Sequence, residues 1–366
     1  MQVALVHDRP ITLPKRQLSK LARNYEESAK AVQLAYIHDM HEGITRVKKG
    51  KRFSYQLQGE KVEDPATLNR IKKLGIPPAW QNVWICPDEN GHIQVVGYDT
   101  KNRKQYRYHP LWVSLRDQTK YYRLRDFGRS LTEMRKHLKE DLDLPTLTKE
   151  KVLAAVVSVM ENTNIRIGNS FYEKLYGSFG LSTMKDRHVS FRGNEVKFSF
   201  KGKKGVYHAI SIKSKKLASI IHQCKDIPGH ELFQYFDPNG KRHAIDSGEV
   251  NEYIRQISGG DFTSKDFRTW AGTVQCFAAF KELGHGDSPA QTKKNVVWAI
   301  DKVAKCLGNT RTVCKKHYVH PLIISAYENK KLERYWTEQH EPEAEKGTET
   351  RMSADEAMLL KVLENN

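Results

Sequence analysis

Residues 312–321 read TVCKKHYVHP and hold four side chains with chemistry of their own. Cys314 could act as a nucleophile, and Tyr318 carries a phenol able to attack an electrophile. His317 and His320 stand three residues apart, a spacing that could hold a metal ion. Three other stretches bring cations to turns: NIRIGN (164–169) at a break between helices, KGKKG (201–205) at the tip of a β-insertion, and KDFRTWAG (265–272) at a helix start. Each can aim positive groups at one anion. A Lys-Gly-Lys taken singly is usually a solvated loop. The succession Arg, hairpin Lys, Arg, Gly-Asn-Thr, Tyr is far more specific.

The elements that must position these residues form an α+β chain. Residues 16–41 have helical patterning. After KKGKR (48–52), itself read as a solvated or DNA-facing loop, come short β-type runs, RFSYQLQG, NVWICPD, HIQVVGYD and KQYRYHPLW, with turn residues between them. Beyond Trp112 a helical period takes over, over 115–138 and then 149–162, where Val152, Val156, Val159 and Met160 form one apolar stripe suited to a core. A β-rich insertion follows over 181–212, with turns at Gly193-Asn194 and 202–205, and the chain is mostly helical from Ser214, with a break at 258–260. The expectation is a β-rich N-terminal domain with antiparallel sheet (1–115). A larger, mainly helical domain with a small β-hairpin insertion follows (116–366). It ends in an acidic tail from about residue 338, loose at EPEAEKGTET and helical over 353–363.

Charge narrows the partner. The net charge is +18, and residues 338–366 carry eight acids against three bases, so +23 falls on residues 1–337. A basic body with interleaved aromatics points to a polyanion, nucleic acid before an acidic membrane surface. No apolar run is long enough for a membrane span, and the N-terminal run is too short for a signal peptide, so a cytoplasmic site, or the nucleoid in a bacterium, is expected. Five cysteines without CxxC spacing fit reduced thiols rather than a zinc ribbon or disulfide framework.

With these motifs in order, the sequence resembles the type IB DNA topoisomerases, most closely the compact poxvirus-type and bacterial forms, from about Ile71 to Tyr327. The resemblance implies that Arg166 of RIGN is the first catalytic arginine and Arg268 of KDFRT the second. It makes Lys203 the catalytic lysine, with Lys204 one residue away as the alternative. Asn309 of LGNT stands where the family usually has histidine, and Tyr318 of KKHY is the nucleophile. It also maps Arg103, Gln105, Tyr106 and Tyr108 of YDTKNRKQYRYHPLW onto a DNA-contacting strand. The implied activity is relaxation of double-stranded DNA through a 3′-phosphotyrosyl intermediate, without ATP, metal or other cofactor, by a monomer clamped around the duplex.

The residue types suit that chemistry. A phenol, with an unperturbed pKa of about 10, stores the phosphodiester bond and remains a tolerable leaving group. Two guanidinium forks match the non-bridging oxygens of a pentacoordinate transition state, and a lysine can protonate the departing 5′-oxygen. An asparagine amide at 309 can donate a hydrogen bond to phosphate but cannot titrate, so a rate flat near neutral pH is expected of any step it serves. In an extended strand Gln105, Arg107 and His109 share one face and Tyr106 and Tyr108 the other. Gln105 can read base edges, and Tyr172 can reach a phosphate with its hydroxyl, while Trp80, Trp84 and Trp112 are expected in the core.

The rivals are weaker. Cys314 lacks a Cys-His-acid arrangement and reads as a buried thiol, and the two histidines lack a third ligand. A tyrosine recombinase shares the chemistry, but usually has His three residues before the second arginine, where this chain has Lys265, and a helical N-terminal domain. A non-catalytic basic DNA-binding protein leaves the ordered motif match to accident.

Overall fold

The computed structural model describes residues 21, 24–37, 42–50, 52–100, 104–119, 121–336 and 351–365, with the side chains of residues 117, 118, 171 and 172 excepted. Arg103, the side chain of Tyr172 and the EPEAEKGTET segment therefore lie outside the described residues. The chain forms two compact units, residues 1–123 and 124–366. It is an α+β protein, β-rich first and helical after. Among the described residues no helix is long and apolar enough to cross a membrane.

The first unit is built on one antiparallel sheet. Its strands are β1 (Ile44–Lys49), β2 (Arg52–Leu57), β3 (Glu60–Lys61), β4 (Gln81–Ile85), β5 (Ile93–Tyr98) and β6 (Lys104–Tyr108), in spatial order β3-β2-β1-β4-β5-β6. Helix α1 (Tyr25–Ala31) precedes them, and α2 (Pro65–Lys73) buries Ile71 against Ile44, Val83, Ile85 and Val95 of the sheet. Of the helical patterning expected over 16–41, the described residues show helix at Leu21 and over Tyr25–Ala31, and residues 16–20, 22–23 and 38–41 lie outside them. The chain then turns at Gln33, with φ of 58°, and Ala35 bridges to Gly91.

The KKGKR stretch, expected as a solvated or DNA-facing loop, lies at the exposed end of the β1–β2 hairpin, with Lys49 opposite Arg52 and Lys51 outside the described residues. Strand β1 escapes sequence patterning because only Ile44 is buried. Its polar Arg46 serves the fold instead, donating to Pro77 O at 3.1 Å and lying 4.2 Å from the Phe53 ring centroid. Trp112 is buried as expected, with Leu115 and Leu34, whereas Trp80 and Trp84 are half-buried.

The expected helix over 115–138 is two helices, α3 (Pro110–Thr119) and α4 (Tyr122–Leu142). In the second unit α5 (Lys149–Thr163) is buried nearly all round, with Val152, Val156 and Val159 fully enclosed. Each such side chain contributes roughly 1.5–3 kcal/mol of burial. After α6 (Ser170–Tyr176) comes a three-stranded sheet, β7 (Val189–Arg192), β8 (Glu195–Lys201) and β9 (Tyr207–Lys213), and then α7 (Lys215–Asp226). A small ribbon, β10 (Gln234–Phe236) with β11 (Arg242–Ala244), interrupts the stretch expected to be helical.

The helices α8 (Ser247–Ser258), α9 (Ser264–Leu283), α10 (Pro289–Leu307), α11 (Arg311–His317), α12 (Pro321–Glu328), α13 (Glu333–Trp336) and α14 (Ala354–Glu364) complete the unit. Helix α14 starts at a capping box on Ser353 and buries Met358, Leu359 and Val362 in the same core. Glu356 on α14 accepts Arg135 Nη2 of α4 at 2.8 Å and Trp270 Nε1 of α9 at 2.9 Å, and Arg135 also reaches Glu161 of α5.

Candidate active site

The second unit gathers four of the sequence-selected residues where two helices end. Helix α5 stops at Asn164, which takes the left-handed conformation (φ 57°), and α10 stops at Gly308, also left-handed (φ 57°). Helix C-termini carry unpaired carbonyls and the negative end of the helix dipole, so they attract cations. Both arginines take up this offer. Arg268 Nη1 donates to Asn164 O, and its Nη2 donates to Leu307 O at 2.8 Å. Arg166 Nη2 donates to Gly308 O at 3.2 Å and to Asn309 Oδ1 at 2.7 Å.

Two like charges are thus held together by neutral oxygens, which hold the guanidinium groups in place without cancelling their charge. Burial, and then the nearby Arg268 charge, push the Arg166 pKa down to about 10, which leaves it protonated at neutral pH. The backbone around Arg166 is fixed by a close crossing. Leu181 N donates to Arg166 O at 2.9 Å, and a Cβ on Gly180 would lie 2.4 Å from Gly168 N, so only glycine fits there.

Arg268 lies in the second turn of α9, which begins at a Thr263–Asp266 capping box, and it is 4% exposed. One turn on, Gly272 lets the Tyr318 segment approach: a Cβ there would stand 2.8 Å from Tyr318 O. Thr273 Oγ1 donates to that same oxygen at 3.2 Å. Tyr318 is the residue after α11, and its ring centroid is 5.3 Å from Arg268 Cζ.

Because a guanidinium can only donate, its bond to Asn309 fixes which end of the amide is oxygen. That leaves Asn309 Nδ2, like Arg268 Nε, as a buried donor with no acceptor among the described residues. Buried donors without partners cost free energy unless something accepts from them. Here one belongs to the guanidinium facing the Tyr318 ring and the other to the amide that Arg166 bonds. Such a site suits an anion with several acceptor oxygens.

The hairpin lysines differ in placement. Lys203 lines a shallow depression with Arg166, Asn164, Phe200, Gly202 and His208, whereas Lys204 does not and takes a left-handed backbone (φ 63°). Cys314 is fully buried, and burial pushes its thiol up to about 11, which disfavours the thiolate. His320 caps α12, accepting from Leu322 N at Nδ1 (3.0 Å).

A family profile described as "Eukaryotic DNA topoisomerase I, catalytic core" matches residues 102–344. This chain belongs to the type IB DNA topoisomerases. A second profile, "Bacterial DNA topoisomerase IB, N-terminal domain", matches residues 52–99. The DNA topoisomerase 1B of Acanthamoeba polyphaga mimivirus is 32% identical over 296 residues, covering 79% of this chain and 88% of the viral protein. The DNA topoisomerase 1B of vaccinia virus strain Copenhagen is 25% identical over 240 residues, covering 64% and 72%. As a member of this topoisomerase family the protein is a DNA-binding isomerase.

In the first unit of this topoisomerase, edge strand β6 displays Tyr106 (45% exposed) and Tyr108 (42%), stacked at 5.9 Å. Exposed stacked rings on an edge strand are poor core and good nucleic-acid contacts. Gln105 instead has an internal partner, donating to Asp99 Oδ2 at 3.1 Å, and Arg107 donates to Gly75 O at 3.0 Å.

Sequence reading missed Gly272, Thr273 and His208. The last had a visible signal: it occupies the first inward position of β9, ahead of Ile210 and Ile212, where an apolar residue is the norm.

Proposed function

We propose that this topoisomerase relaxes supercoiled duplex DNA by cutting one strand, holding its 3′-phosphate on Tyr318, letting the free end rotate, and resealing. The observation that carries this reading is the convergence of Arg166, Arg268, Asn309 and Tyr318 on two helix ends, with buried donors still to satisfy.

Tyr318 Oη attacks the phosphorus and its proton leaves to solvent. The P–O bond to the 5′-oxygen breaks, and Lys203 supplies the proton that this oxygen takes. Both arginines and Asn309 Nδ2 stabilise the added charge on the non-bridging oxygens. Religation reverses each step, so bond energy is conserved without ATP, and the two guanidinium groups take the role that metal ions serve elsewhere. Lys203 rather than Lys204 is assigned as acid because it shares the depression with Arg166. In this reading the first unit binds the duplex through β6 with Tyr106 and Tyr108, Arg103 and Tyr172 reach phosphates, and a single copy suffices.

Supercoiled plasmid incubated in EDTA without ATP tests the proposal. Stepwise relaxation with an SDS-trapped adduct that Tyr318→Phe abolishes is expected. Binding with no change of linking number refutes it, and exchange between specific sites indicates a recombinase instead. Lys203→Ala should stop cleavage where Lys204→Ala does not.

A further inference from the structure

Resting on that reading, we propose that His208 is a positioning residue: its ring is the wedge that sets the Lys203 turn against the end of α10 holding the two arginines. The ring lies between two glycines from distant parts of the chain. A Cβ on Gly202 would stand 2.6 Å from His208 Cδ2 and 2.7 Å from Nε2, and a Cβ on Gly308 would stand 2.7 Å from Cε1.

Gly202 has φ of −90°, which any residue adopts, so glycine serves there by making room for the ring rather than by its conformational freedom. Gly202 directly precedes Lys203, and its N–H closes the turn on Val206 O at 2.7 Å. On the other side Gly308 O and Leu307 O receive Arg166 and Arg268. The imidazole therefore touches the segment bearing the acid and the segment anchoring the cations.

Its own placement is fixed by stacking on Phe200, its cross-strand partner, at 5.2 Å and 25°. Burial, and then the charges of Arg166 and Arg268, hold its pKa below the usual histidine range, so the wedge adds no third cation to the site. A flat, rigid, uncharged body suits a spacer between two cationic elements.

A lysine displaced by an ångström loses proton delivery to the leaving oxygen, so the defect should depend on the leaving group. His208→Ala should slow single-turnover cleavage of an ordinary phosphodiester roughly 10- to 100-fold. On a 5′-bridging phosphorothiolate, whose thiolate departs unprotonated, the defect should shrink below about threefold, as it should for Lys203→Ala. Gly202→Ala attacks the same contact from the other side and should show the same pattern, while the double variant should be no slower than His208→Ala alone.

A His208→Ala loss equal on both leaving groups, or no loss at all, overturns the positioning role while leaving Tyr318 chemistry intact. Failure of the unaltered protein to form a Tyr318 adduct overturns both readings.

Discussion

Replacing Asn309 separates the two jobs its amide holds. Oδ1 accepts from Arg166 at 2.7 Å, and Nδ2 is a buried donor without an acceptor among the described residues. Asn309→Ala removes both. Arg166 keeps Gly308 O at 3.2 Å, so its position survives and the loss falls mainly on the donor. One donor to a developing oxyanion is worth about 2.7–4 kcal/mol, so cleavage should slow by about 100-fold or more. DNA affinity should stay within about threefold, since Asn309 makes one contact among many phosphate contacts. Asn309→Asp keeps the acceptor but turns the donor into a negative charge facing phosphate. It should be slower than Ala, by about 1000-fold overall. Asn309→His restores a donor and should stay within about tenfold of the unaltered protein. The assay is single-turnover adduct formation on an end-labelled suicide duplex, quenched with SDS. An Asp variant as fast as the natural residue, or an Ala variant within about twofold, refutes the assignment of a donor role.

Arg166→Gln should abolish cleavage yet raise the melting temperature. A folded-state pKa of about 10 against an ordinary 12.5 means that folding is opposed at every pH below about 10, and relief comes only as pH rises through that range. The penalty is at most about 3 kcal/mol; after lost hydrogen bonds, a gain of about 2–6 °C should remain in a thermal melt, and a fall would refute it. Elsewhere in the second unit, Glu356→Gln and Glu161→Gln should differ. Against the burial that would raise it, hydrogen bonds from Arg135 hold the Glu356 carboxyl below its usual range, whereas burial pushes Glu161 up. The stability from Glu356 is present above a pH of about 4.3 and lost as pH falls further, so Glu356→Gln should cost about 2–4 kcal/mol near neutral pH and flatten the acid limb of a urea-midpoint profile. Glu161→Gln should be neutral or stabilising, and equal losses from the two would count against the unequal sharing of Arg135.

The parts of the site legible in sequence are those whose side chain alone has a chemical reason to exist. Tyr318, Arg166 and Arg268 carry polar or charged groups that an apolar core does not need, and their order along the chain singled them out. Gly272 was silent, and His208 showed only as a polar residue at an inward strand position, because their meaning is relational: one makes room for the Tyr318 backbone, the other fills space between Gly202 and Gly308. Strand β1 was unreadable for a similar reason, since its polar side chains bond to other parts of the sheet's unit rather than alternating with apolar ones. The small β7–β9 sheet and helix α14, by contrast, were legible in the sequence.

The bonds that hold the two arginines have a consequence for how the protein comes to be active. Arg166 and Asn309 are 143 positions apart, and Arg268 and Asn164 are 104 apart. Contacts of such span form late and slowly, because the intervening chain must be ordered before they return any free energy. On dilution from denaturant, helical signal should therefore recover before cleavage does. Under the proposed reading this order of events is a safeguard: a nascent or partly melted copy already carries the basic charge that attracts DNA, but the residues proposed to cut a strand come together only with the last long-range contacts.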